Sequence, residues 1–422
     1  MEFFNFNAEL ESLAEQTRNE CSFVFKQIDE NARYNQQKVL AAFTKNGVSA
    51  SHLGVSTGYG YDDSGRDMLE RVFADCVGAE DAIIRHNFVS GTHTLTVALF
   101  GLLRPNDAML CVTGRPYDTL IGVLGIDKKT DGSLADFGIN YNQVDLTTSG
   151  EPDLDGIRMA LTQKKYKMVY IQRSKGYSLR PSLTVEKIAE ICRIVKKMSP
   201  DTIIMVDNCY GEFVQKNEPC EVGADIIAGS LIKNPGGGIA PTGGYIAGRR
   251  DLVEKCAYRL TAPGVGKEVG ASLGHLRELY MGLFAAPHTV GEALKTAVFA
   301  AKLFSKLGFG VSPRFDEPRA DIIQTILLEN TERLIAFCQG LQKGSPIDSL
   351  ALPYPAPMPG YDSDVIMAAG AFTLGASIEL SADAPLREPF AVWLQGGLNF
   401  ASGEVGIMCS AREVIKLKKD EE

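Results

Sequence analysis

Apolar residues recur at two different spacings along this chain, and the alternation of the two sets out its organisation. Over residues 8–46 the spacing is helical. Ala8, Leu10, Leu13 and Ala14 form one stripe, Val39, Leu40, Ala42 and Phe43 another, and Asn46-Gly47 is a stop signal. Short apolar runs of strand length follow at 82–89 (AIIRHNFV), 108–113, 139–144, 168–172 (MVYIQ) and 202–206 (TIIMV). Helical patterns separate them, at 95–103, 153–161 and 184–197, the last marked by Val185, Ile188, Ala189, Cys192 and Val195. Two more apolar segments, 225–228 and 245–247, flank a glycine-rich stretch. Strands alternating with helices predict an α/β domain with a mostly parallel central sheet flanked by helices.

The remaining segments are less regular. Residues 54–80 begin as a Gly-, Tyr- and Asp-rich loop and turn helical from Asp67, with Met68, Leu69, Val72 and Phe73 on one face. Residues 267–307 are mainly helical, with a break expected at Ala286-Pro287. A helix is expected within 321–342, an extended loop at 352–360 (LPYPAPMPG), strands at 365–368, 376–380 and 405–408, and a helix at 390–398. This divides the chain into an N-terminal helical arm (1–53), a large domain (54–265), linking helices (266–308) and a smaller C-terminal α+β domain (309–422).

Composition narrows the function. The 422 residues carry a net charge of -9 with no basic stripe, which disfavours nucleic acid. No run of about 18 apolar residues suggests a membrane span. The N-terminus, MEFFNFNAELES, is acidic where a secretory signal is basic, so a cytoplasmic location is expected. Nine dispersed cysteines form no CxxC pair, and five histidines lack metal-ligand spacing. No metal is therefore expected.

Candidate chemistry lies at strand ends. The stretch 223–248, GADIIAGSLIKNPGGGIAPTGGYIAG, holds a single lysine, Lys233, three residues after Ser230. Burial would lower its pKa and make it an amine nucleophile; the alternative is a solvated loop lysine. Ser90-Gly91-Thr92 follows a strand and opens a helix, which is either an anion site or an ordinary N-cap. Tyr117 follows the 108–113 strand, at the sheet edge where open α/β sheets bind ligands. Asp207 closes the 202–206 run, as a structural ion pair or as a functional carboxylate. Tyr59, Tyr61 and Arg66 are presented from a loop, as a surface turn or for a ligand. Arg387 follows a strand and is a candidate to face the cleft.

Taken in order, this set suits pyridoxal 5'-phosphate. The phosphate needs a helix N-terminus, the aldehyde an amine, and the pyridine nitrogen a carboxylate; an aromatic ring fixes the tilt of the pyridine. VDNCYG, around Asp207, resembles the aspartate motif of fold-type I pyridoxal-phosphate enzymes of the cystathionine and methionine gamma-lyase group. GADIIAGSLIKN, up to Lys233, resembles their lysine motif. The chain is most similar to the branch called aluminium-resistance or methionine gamma-lyase-like proteins.

The resemblance implies a role for each residue. Lys233 joins the aldehyde and moves the substrate proton, and Asp207 pairs with the ring nitrogen. Ser90, Gly91, Thr92 and Ser230 hold the phosphate. Tyr117 stacks on the ring and acts as an acid on the leaving group. Tyr59 or Tyr61, with Arg66, reaches the cofactor of a neighbouring subunit, and Arg387 grips the substrate carboxylate. A homodimer or homotetramer follows, and carbon–sulfur elimination from a sulfur amino acid such as cystathionine or methionine. An aminotransferase or aldolase on the same fold is an alternative, as is a cofactor-binding protein with a non-enzymatic role in metal stress. A nicotinamide-binding fold is disfavoured, because Gly54, Gly58 and Gly60 precede the first strand.

The chain departs from the lyase pattern in three places. Gln172-Arg173-Ser174-Lys175-Gly176-Tyr177 lacks the asparagine that meets the cofactor hydroxyl, a contact left to Arg173 or Ser174. Ile232 replaces a hydroxyl residue before the lysine, and the Tyr-x-Arg spacing is lengthened.

Overall fold

A computed structural model describes residues 3–127, 130–358 and 363–421. In chain order its main elements are α1 (Ala8–Lys45), α2 (Ser64–Val77), β1 (Asp81–Arg85), α3 (Gly91–Leu102), β2 (Ala108–Cys111), α4 (Asp118–Leu124), β3 (Asn140–Gln143), α5 (Leu154–Gln163), β4 (Met168–Gln172), α6 (Val185–Met198), β5 (Ile203–Asp207), β6 (Ile226–Ser230), β7 (Gly244–Gly248) and α7 (Arg250–Leu260). They continue with α8 (Leu276–Lys306), β8 (Gly310–Ser312), β9 (Gln324–Leu327), α9 (Thr331–Lys343), β10 (Val365–Ala368), β11 (Ser381–Pro385), β12 (Ala391–Gln395) and α10 (Phe400–Glu421). Two units are formed, one from Asn35–Ala285 and the other from Met1–Tyr34 with Ala286–Glu422. Among the described residues no helix is long and apolar enough to cross a membrane.

The Asn35–Ala285 unit is built on a seven-stranded sheet of order β1-β7-β6-β5-β4-β2-β3. Strands β3, β2, β4, β5 and β6 are mutually parallel, and β7 is antiparallel to both β6 and β1. Burial on both faces explains why these strands read as unbroken apolar runs rather than alternating ones. On one face Met109, Met168, Tyr170, Met205, Ile226 and Ile246 pack with Leu95 and Leu99 of α3 and Leu252 and Cys256 of α7. The helices that return the chain are capped by short polar side chains. Asp63, Ser90, Asp153 and Thr184 each accept a backbone N–H of the first turn.

In the other unit β10-β11-β12-β9-β8 form an antiparallel sheet. Its core joins Ile326, Val392 and Leu394 to Phe337 and Leu341 of α9 and Ile407, Met408 and Val414 of α10.

Several local expectations change. Residues 390–398 contain strand β12 rather than a helix. Trp393 and Leu394 pair with both β9 and β11, and Gly396-Gly397, at φ 77° and 135°, end the strand. Residues 405–408 belong to α10, where Ile407, Met408, Ala411 and Val414 recur at helical spacing; a run of four apolar residues does not tell the two apart. Residues 376–380 form no strand, and Glu379 instead accepts the N–H groups of Phe372 and Thr373, both at 2.8 Å. The span 321–342 divides into β9 and α9 at Asn330, whose side chain accepts Arg333 N–H at 2.9 Å. Helix α8 runs through Pro287 without the expected break. Leu279 and Leu283 before it, and Val290, Ala293 and Leu294 after it, are all buried, so packing outweighs the lost hydrogen bond. Of the proline-rich loop, residues 359–360 lie outside the described residues, and Ala356 makes one bridge to Val365.

Ile227, fully buried at the centre of β6, tests the large sheet. Ile227→Ala is expected to destabilise the fold by about 2–5 kcal/mol, read from the midpoint of chemical unfolding.

Candidate active site

Parallel strands place their carboxyl ends on one edge of the sheet. Gln172, Asp207 and Ala228 stand in register there, and Ser230 and Arg85 both pair with Gly244. The loops after β5 and β6 leave from this edge.

Asp207 is buried. Its Oδ1 accepts Cys209 N–H at 3.1 Å and its Oδ2 accepts the Tyr170 hydroxyl at 3.3 Å. Burial raises its pKa, while the charge of Lys233 and the bonds from Cys209 and Tyr170 act the other way. Lys233 is half-buried, with Nζ 3.9 Å from the centre of the Tyr210 ring. Its pKa is not lowered, as the sequence suggested. Burial disfavours the charge, but Cys209, Tyr210, Asp207 and Glu212 together outweigh it and hold the amine above the ordinary lysine value. The sequence reading weighed desolvation without the acidic groups that fold around the amine.

Gly91 opens α3 beside Ser230. A Cβ at Gly91 would lie 3.4 Å from Ser230 Cβ and 3.6 Å from Cys209 Sγ. The Ser90 hydroxyl accepts His93 N–H at 3.0 Å and so serves as the helix cap. Thr92 Oγ1 lies 2.7 Å from Thr119 Oγ1. Tyr117 precedes α4, and its N–H donates to Gln172 Oε1 at 2.7 Å. Its ring packs on Gly176, where a Cβ would come within 2.9 Å, and lies 5.8 Å from the Tyr177 ring. The sheet edge thus gathers Asp207, Lys233, Ser230, Gly91 and, through Gln172, Tyr117.

Tyr59 and Tyr61 are 73% and 64% exposed, with ring centres 5.6 Å apart. Arg66 is buried, and its Nη1 donates to the carbonyls of Gly60 (2.7 Å) and Gly270 (3.0 Å), so it fastens the loop that carries the tyrosines. Arg387 belongs to the other unit, exposed on the turn between β11 and β12. Arg173 is not available for a ligand hydroxyl. It is fully buried, bonded to Asn208 Oδ1 (2.7 Å) and Gln215 Oε1 (3.2 Å), and paired with Glu218 at 3.6 Å.

Sequence reasoning missed five side chains of the cluster: Tyr170, Cys209, Tyr210, Glu212 and Tyr245. Cys209 and Tyr210 lie within the VDNCYG motif and Glu212 just beyond it. Tyr170 and Tyr245 are hidden inside apolar strands, where only a phenol among aliphatic neighbours marks them. Glu212 is fully buried, accepts the Tyr245 hydroxyl at 2.6 Å, and leaves Oε2 without a partner. Burial pushes its pKa up to about 8.

This donor set fits pyridoxal phosphate. A buried carboxylate, an amine within its field, and a helix N-terminus with a hydroxyl beside it are the three groups that cofactor requires.

The family model for methionine gamma-lyase matches residues 10–415. The chain belongs to the methionine gamma-lyase family. Among its relatives, the uncharacterised protein YnbB of Bacillus subtilis is 50% identical over 411 residues, 97% of each chain. A crystal structure from Clostridium novyi, described as a carbon-sulfur lyase involved in aluminium resistance, is 49% identical over 97% of each chain, with a TM-score of 0.94. YhfS of Escherichia coli, described as pyridoxal-5'-phosphate dependent, shares the fold at a TM-score of 0.62, with 17% identity over 92% of this chain and 97% of its own. This member of the methionine gamma-lyase family therefore has the α/β fold with a mostly parallel sheet expected from its strand pattern, shared with the carbon-sulfur lyase structure.

Glu212 gives a pH test. An acid whose pKa is raised on folding keeps its proton between the unfolded value, near 4.5, and about 8. Its contribution to stability is present at low pH and is lost as pH rises through that window. Glu212→Gln is expected to flatten this fall relative to wild type when unfolding midpoints are compared from pH 4.5 to pH 8.

Proposed function

We propose that this chain is a pyridoxal-phosphate-dependent carbon–sulfur lyase that acts on a sulfur amino acid such as cystathionine or methionine and releases a thiol, ammonia and a keto acid. The observation that carries this reading is the buried Asp207 within the field of Lys233, at the sheet edge where Ser230 meets the first turn of α3. The Clostridium novyi relative, described as a carbon-sulfur lyase, supports the reaction class.

When bound, the cofactor supplies an electron sink for a substrate carbanion. Asp207 holds a proton at the ring nitrogen, and the Cys209 N–H and the Tyr170 hydroxyl fix the carboxylate for that task. The N–H groups of Gly91 and Thr92 and the Ser230 hydroxyl bind the phosphate. Ser90 contributes by shaping the helix start, since its hydroxyl serves as the cap. Lys233 Nζ removes the proton from the substrate Cα and redelivers it. Tyr117 would lie against the ring and protonate the leaving sulfur. Arg387 binds the substrate carboxylate as a bidentate partner. Tyr59 and Tyr61, exposed on one chain, reach the cofactor of a second copy, so the working form is a homodimer or homotetramer. All nine cysteines are free thiols, which suits a reducing cytoplasm.

The loaded protein, incubated with cystathionine and with methionine, is expected to release free thiol and keto acid. Lys233→Ala should abolish the visible absorption of the bound cofactor and slow release by at least about a hundredfold. Amino-group exchange with a keto acid in place of thiol release would overturn the lyase assignment.

A further inference from the structure

The loop that leaves β5 has a feature the proposed chemistry leaves unused. Tyr210 and Phe213 hold left-handed backbone, φ 69° and 60°, although neither is glycine. Side-chain-bearing residues stay in that region only where surrounding contacts impose it. Here Asn234 does so. It is fully buried, and its Nδ2 donates to the carbonyls of Tyr210 (3.0 Å) and Glu212 (2.9 Å). Glu218 adds a bond from Phe213 N–H at 2.7 Å. Asn234 directly follows Lys233, so one dipeptide both pins the turn and presents the amine. The result is a ring face 3.9 Å from Nζ.

We propose that Tyr210 is a positioning residue, its ring the seat on which the Lys233 ammonium rests while the amine is not covalently engaged, with Asn234 tying that seat to the lysine's own backbone. Its bearing on catalysis rests on the reading of Lys233 as the reactive lysine. The ring's negative face stabilises a cation where little water reaches it. Such a seat stabilises the ammonium that forms once the amine has taken the substrate proton, and keeps it close to the place where it must return that proton. The other groups around the amine are Asp207 at the end of β5 and Cys209 and Glu212 on the same loop. Tyr170 on β4 is bonded to Asp207, and Tyr245 on β7 to Glu212. A ring that only filled space would leave the titration of the lysine unchanged on removal.

The test is competitive labelling of the full chain, stripped of any pyridoxal phosphate, with acetic anhydride across a pH series. The modified Lys233 peptide is quantified by mass spectrometry, and the readout is the midpoint of the labelling profile, which a mere gain in access does not move. Tyr210→Phe keeps the ring face and loses only the hydroxyl, whose charge also supports the ammonium, and is expected to move the midpoint clearly less than Tyr210→Gly. Tyr210→Gly removes the ring and suits a φ of 69°. It is expected to move the midpoint down by about one pH unit, a roughly tenfold gain in labelling at neutral pH. If the glycine variant does not fold, Tyr210→Leu is read by the same criterion. An unchanged midpoint without the ring, or a Tyr210→Phe profile displaced like that of Tyr210→Gly, would overturn the proposal. The labelling needs no cofactor. Failure to bind pyridoxal phosphate would therefore sink the proposed function alone, and an unmoved midpoint would sink this inference alone.

Discussion

Burying Asp207 is the constraint around which the large-sheet unit is arranged. A carboxylate at the end of a strand covered on both faces loses its water, and that loss must be offset by hydrogen bonds or opposite charge. Asp207 has both, from the amide of Cys209, the hydroxyl of Tyr170 and the field of Lys233. Those partners come from β4, from the loop after β5 and from the loop after β6. Only parallel neighbours deliver all three to one edge. Glu212, five residues on, is raised by burial as well. Burial there is not matched by comparable partners, and its carboxyl keeps a proton up to about pH 8.

A second buried layer supports that loop. Arg173, Asn208 and Glu218 interlock with no exposure, and Gly211 lies so close to Arg173 that a Cβ there would come within 2.5 Å of Cδ. An ion pair this deep adds little net stability over apolar packing, but losing either partner strands the other. Its effect is to fix the path of residues 208–218, and with it the place of Cys209 and Tyr210. The arginine that a sequence reading offers to a ligand is instead part of the mount.

Much of this was legible from the residues. The strand-helix alternation from β1 to β7 follows from apolar runs of the right length, and the two motifs flagged Asp207 and Lys233. What was not legible has specific physical causes. The direction of the Lys233 shift depended on acids brought in by the turn at residues 208–213, whose left-handed backbone at Tyr210 and Phe213 no local pattern announces. Tyr170 and Tyr245 were masked by apolar strands. In the other unit, β12 and the 405–408 segment were exchanged between helix and strand because short apolar runs satisfy both spacings. Pro287 predicts a break, although buried residues on both sides hold α8 continuous through it.

The central claim is that Lys233 is the amine that engages pyridoxal phosphate. Borohydride reduction of the protein loaded with that cofactor, followed by peptide mass mapping, tests it most directly. The account predicts a single pyridoxyl adduct on the peptide that contains Lys233. An adduct at a different lysine, or none after reduction, would contradict it.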